Sequence, residues 1–128
     1  MKKYKFTDQE KEVLIPLIEE RYISVFETYD MPHQKDMDAV NELKDEFVEE
    51  KEEDKEGILL GKNSRSVLCS IIDEKIILPN AELMSDIKEM DQEDIDGMAI
   101  EYKQIVAFVK HYMALKNKLS PYKKNKKN

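Results

Sequence analysis

Few residues in this chain have the types and spacing that chemistry requires. Gly57-Ile58-Leu59-Leu60-Gly61-Lys62-Asn63-Ser64 comes nearest to a phosphate-binding loop. Such a loop needs backbone amides around the phosphate, a lysine on the β- and γ-groups and a hydroxyl beside it for magnesium. Here the glycines stand one residue too close and Asn63 separates the lysine from Ser64, with no long buried strand before them. The pattern reads as a connector followed by a third helix, with Ser64 as its cap. Gln92-Glu93-Asp94-Ile95-Asp96-Gly97 ends like a calcium loop, but glutamine opens it and Lys103 stands where the closing bidentate glutamate should be. An acid-rich helix start, favoured by the helix dipole, is the better account.

His33 and His111 are the only histidines, and neither has a His-x-x-x-His or Glu-x-x-His partner. Zinc and di-iron sites therefore have no support. His111 reads as a packing residue beside Tyr112, and Cys69, between Leu68 and Ser70, as a small buried side chain. Serine, histidine and acid are present, yet spacing alone assembles no triad. The expectation is a protein that is not an enzyme and holds neither metal nor cofactor.

Charge is the stronger signal. Residues 36–56 contain eleven carboxylates and three lysines, a local charge of 3 − 11 = −8, whereas residues 116–128 contain six lysines and no acid. If residues 36–56 are helical, seven acid pairs fall at i,i+4, from Asp38/Glu42 to Glu52/Glu56. At roughly 0.2–0.5 kcal/mol each, their repulsion amounts to about 1.5–3.5 kcal/mol. A basic partner surface would relieve it. The candidate partner-binding residues are Glu42, Asp45, Glu46, Glu49, Glu50, Glu52, Glu53, Asp54 and Glu56. An alternative reading assigns nucleic-acid attraction to Lys118, Lys123, Lys124, Lys126 and Lys127. Lysines without arginine attract phosphate but do not read bases bidentately. The net charge of −7 opposes DNA, so nucleic acid is the weaker partner.

The elements that must position these groups are helical. Three glycines, four prolines and no tryptophan leave little turn material for a sheet, and 38% of residues are charged. Thr7-Asp8-Gln9-Glu10 is a capping box opening a first helix with Leu14, Ile18, Tyr22, Val25 and Tyr29 on one side. Pro16 should kink or divide that helix, and Asp30-Met31-Pro32 should end it. A second helix from about Asp36 has Met37, Val40, Leu43, Phe47 and Val48 along one face, while residues 49–56 contain no apolar side chain. Ile58-Leu59-Leu60 suits a connector or very short strand.

The third helix carries Val67, Leu68, Ile71 and Ile72 and should stop at Pro79. A short fourth uses Leu83, Met84 and Ile87. The last begins at Asp91 to Asp94, with heptad a positions Ile95, Tyr102, Val109 and Lys116 and d positions Met98, Ile105, Tyr112 and Leu119. Such a helix is either the most buried rod of a bundle or half of a dimer seam.

The expected architecture is a single all-α domain, residues 1–119, a bundle of about five helices with a long C-terminal central helix, followed by a basic tail over residues 120–128. One cysteine, no secretory hydrophobic stretch after the first lysines and no apolar run of membrane-spanning length give a cytoplasmic expectation. Lysine-rich, arginine-poor usage hints at an AT-rich genome, such as that of a low-GC bacterium or its phage. The function expected is that of a small acidic interaction protein, an inhibitor or regulatory adaptor that binds a basic surface of a larger protein. It would be a monomer, or a homodimer through residues 95–119. The alternative is a transcriptional regulator whose third and fourth helices form a helix-turn-helix variant, although Lys88 stands there against Glu82, Asp86 and Glu89.

Overall fold

The structure, a computed structural model, describes residues 3–28, 34–47 and 57–121. It is a small all-α bundle with one two-stranded ribbon. In chain order the elements are β1 (Lys3–Tyr4), α1 (Asp8–Ile23), α2 (Gln34–Phe47), β2 (Ile58–Leu59), α3 (Lys62–Ile72), α4 (Ala81–Lys88), α5 (Gln92–Asp96) and α6 (Ile100–Leu119).

The capping box forms as its spacing requires. Thr7 Oγ1 accepts the amide of Glu10 at 3.0 Å, and Glu10 Oε1 accepts the amide of Thr7 at 2.8 Å. Pro16 does not divide the helix: α1 runs unbroken from Asp8 to Ile23, with Pro16 on its exposed side, and relaxes into a wide π-helical turn over Ser24–Thr28. Leu14 and Ile18 are fully buried and Val25 nearly so. Tyr29, the 30–32 stop and His33 lie outside the described residues. On α2 the buried face is Ala39, Val40, Leu43 and Phe47.

The expected short strand is present, and its partner is the N-terminal Lys3–Tyr4, antiparallel with Tyr4 opposite Ile58. Gly57 begins the return at φ +118°, and a Cβ there would stand 3.1 Å from the Tyr4 carbonyl oxygen, so this position requires glycine.

Two expectations about α3 are corrected. Gly61, not Ser64, is its N-cap. Ser64 is buried one turn inside the helix and donates to the Ala39 carbonyl at 3.3 Å, because α2 packs against α3 there. Pro79 does not stop the helix. Residues 62–88 follow one right-handed helical path through a wide turn, Asp73–Ile77, and a tight one, Leu78–Asn80. Pro79 falls at the start of the tight turn, where a missing amide does little harm. Asn80 Nδ2 also donates to the Ile76 carbonyl at 2.7 Å. A helix-turn-helix needs a turn between its helices, and residues 73–80 supply further helix instead.

Most of the core gathers around α3, whose Leu68, Cys69, Ile71 and Ile72 meet Leu14 and Ile18 of α1, Leu43 and Phe47 of α2, Ile58 and Leu60 of the ribbon, and Tyr112, Leu115 and Leu119 of α6. The wide turn is held to its neighbours by ion pairs: Arg21 with Glu74, Glu20 with Lys75 at 2.7 Å, and Asp73 with Lys116 at 2.9 Å. Lys75 holds the Glu20 carboxyl below its usual range.

The long C-terminal helix is buried only from Val106 onward, through Val106, Val109, Tyr112, Leu115 and Leu119. Of the heptad positions, Val109, Tyr112 and Leu119 are buried, while Tyr102 is 53% and Ile105 38% exposed. The apolar seam outruns the body of the bundle. The last helical stretch is also interrupted, since α5 ends at Asp96 and residues 97–99 separate it from α6. Among the described residues no helix is long and apolar enough to cross a membrane.

Candidate interaction site

Every residue from 88 to 105 is at least partly exposed, including Met90, Ile95, Met98, Ile100, Tyr102 and Ile105. The segment contains Glu89, Asp91, Glu93, Asp94, Asp96 and Glu101 against Lys88 and Lys103, a charge of 2 − 6 = −4. It forms an arm: the end of α4, then α5, then the first turns of α6.

Local chemistry shapes this arm. Asp91 caps α5 by accepting the Asp94 amide at 2.9 Å, and Gln92 Nε2 donates to Asp96 Oδ1 at 2.9 Å. Lys103 Nζ reaches back to the Asp96 carbonyl at 2.7 Å and ties the two helices across the break. The calcium-like residues are therefore a capped helix start.

Where the arm joins the body, α6 and the N-terminus of α1 enclose an open groove of about 560 Å³, walled by Phe108, Ala107, His111 and Tyr112 on one side and Thr7, Gln9 and Glu10 on the other. Phe108 and Tyr112 pack with ring centroids 4.8 Å apart at a 49° tilt, and His111 meets Tyr112 edge-on at 5.2 Å. His111 Nε2 lies 2.6 Å from Glu10 Oε2. The Glu10 side chain is only 9% exposed and His111 54%. Burial, and behind it the Glu10 charge, pushes the Tyr112 phenol above its usual range. His111 was expected to pack beside Tyr112, and it does. Its partner Glu10, 101 residues away, had shown in the sequence only as a capping residue.

The sequence-derived acidic candidates are distributed differently. Glu42 points inward and accepts the Gly61 amide at 2.8 Å, serving the fold. Asp45 is exposed and Glu46 half-buried. Glu49, Glu50, Glu52, Glu53, Asp54 and Glu56 lie outside the described residues, as do Lys123, Lys124, Lys126 and Lys127; Lys118 is exposed on the last turn of α6. The phosphate-loop candidate forms β2 and the start of α3. Cys69 is buried, its Sγ 3.5 Å from the Lys116 carbonyl, and burial raises its thiol pKa.

What sequence reading missed is the arm. The signal was available: in α5 the single apolar residue, Ile95, stands between Asp94 and Asp96, with Glu93 beside them. Compared with protein-family models, curated proteins and solved structures, the chain matches none.

Proposed function

We propose that this chain is a protein-interaction module, with the role of an inhibitor or regulatory adaptor, that captures a basic amphipathic segment of a larger protein on its acidic, apolar arm. One observation carries the reading: residues 88–105 hold four large apolar side chains that are exposed, Met90, Ile100, Tyr102 and Ile105, with Ile95 and Met98 half-buried beside them, Ile100 being 69% exposed, amid a surplus of carboxylates. An apolar strip rimmed by polar groups is the mark of a binding surface. The carboxylates choose the partner, since an acidic rim attracts lysine and arginine and repels a second copy of a chain with net charge −7. Exposed Asp36, Asp38 and Asp45 on α2 extend the negative field and add long-range steering. The acids of residues 49–56 belong to the same reading as further contacts.

The test uses two synthetic helical peptides with the same leucine face, one carrying lysines and the other glutamates on its polar face. Calorimetry should show binding of the lysine peptide alone, weakening with salt and lost in a Tyr102→Ser/Ile105→Ser variant. Equal binding of both peptides, or unchanged binding by the variant, overturns the reading.

A further inference from the structure

The groove beside the arm has a chemistry of its own. Among its lining residues only Glu10 and His111 can carry charge near neutral pH, and the rest are hydroxyl, amide, methyl or ring. Glu10 is a carboxylate held almost out of water. A carboxylate offers about four acceptor positions. The Thr7 amide and His111 Nε2 supply two donors. Glu10 lines a cavity with Phe108, whose ring is 39% exposed and packs at a 49° tilt against the buried Tyr112. A buried carboxylate beside aromatic faces recognises a cation with a flat or apolar body: the ring quadrupole attracts it, and the carboxylate takes its N–H groups.

We infer that this groove receives an arginine side chain of the partner segment, its guanidinium lying against the exposed ring of Phe108 and hydrogen-bonded to Glu10. The inference rests on the reading of the arm as a docking surface and names its specificity element. Arginine fits better than lysine because its planar, weakly hydrated head stacks on rings and binds carboxylates through a fork of donors. Gln9 and Gln104 also line the groove, and a glutamine amide oxygen can accept a further N–H. The groove and arm are contiguous, since Gln104 and Phe108 flank Ile105 on the same helix.

The experiment takes the full chain and two amphipathic peptides with leucine and lysine faces, one containing a single arginine and the other citrulline, its neutral isostere, at that position. Glu10→Gln is the informative variant because glutamine keeps the capping box while removing the charge. Its thermal midpoint confirms the fold. The wild type should favour arginine over citrulline by about tenfold or more, and Glu10→Gln should lose most of that preference. Amide shifts should move at residues 104–112 with the arginine peptide. If wild type and Glu10→Gln discriminate equally, or if shifts stay within residues 88–103, the groove assignment falls and the arm reading stands. If Tyr102→Ser/Ile105→Ser leaves the arginine preference and both affinities unchanged, the arm reading falls while the groove stands. Failure of both peptides to bind overturns both readings.

Discussion

The Glu42 carboxylate on α2 accepts the backbone amide of Gly61, 19 residues later, at 2.8 Å and so closes the N-terminus of α3, whose cap residue has no side chain to do it. One acid of the carboxylate-rich run is thereby a structural part, placed where the helix dipole favours negative charge. Glu42→Ala should cost about 1–2 kcal/mol in urea unfolding, Glu42→Gln less because an amide oxygen still accepts, and Asp45→Asn close to nothing.

Ser64 ties α3 to α2. Its hydroxyl donates to the Ala39 carbonyl at 3.3 Å, and its side chain is almost fully buried. Ser64→Ala should cost under about 1 kcal/mol, since the Ala39 carbonyl lies inside α2 and keeps its helical partner. Ser64→Leu should cost about 1–3 kcal/mol or more by forcing the helices apart. Denaturant midpoints of the two variants measure the difference.

The sequence made local features legible. Thr7 and Glu10 stand three apart before an apolar run, and that spacing alone sets the capping box, because both partners lie in one turn. The stripes of α1 and α2 were equally visible. The failures all involve tertiary relations. Pro79 looked like a stop because a proline costs a helix most in its interior, whereas the path tightens just where it sits. Ser64 resembled a cap because serine caps well, but burial against α2 governs it. The seam over residues 95–119 suits either a buried rod or a dimer interface, because periodicity reveals an apolar face without revealing how far its neighbours extend. Glu10 and His111 meet only after the bundle closes.

Alkaline pH should destabilise the fold through two groups. Burial raises the Cys69 thiol, and burial together with Glu10 raises the Tyr112 phenol. For a group with a folded-state pKa above its unfolded value, stability is complete below the unfolded value and declines as pH rises through it toward the folded one. The unfolded values are about 8.5 for cysteine and 10 for tyrosine. Unfolding free energy should therefore decline from about pH 8.5 upward, and Cys69→Ala should remove the first part of that decline. Native Cys69 should also alkylate more slowly at pH 8 than in urea, as mass spectrometry would record.

The arm gives the sharpest contrast in stability. Leu68 and Ile100 are both large aliphatic side chains on helices, yet one is fully buried at the centre and the other 69% exposed. Leu68→Ala should cost about 2–5 kcal/mol, because it leaves a cavity among helices that cannot collapse into it. Ile100→Ser should fall within about 0.5 kcal/mol of wild type. Local opening follows the same logic: backbone amides of α5 and the first turns of α6 are backed by few buried contacts, so they should exchange with deuterium well before those of α3. Binding of the lysine-faced peptide should then slow exchange over residues 92–105 and leave α3 unchanged. An arm as protected as α3 in the free protein would mean that its apolar strip is already covered, and the partner would have to engage another face.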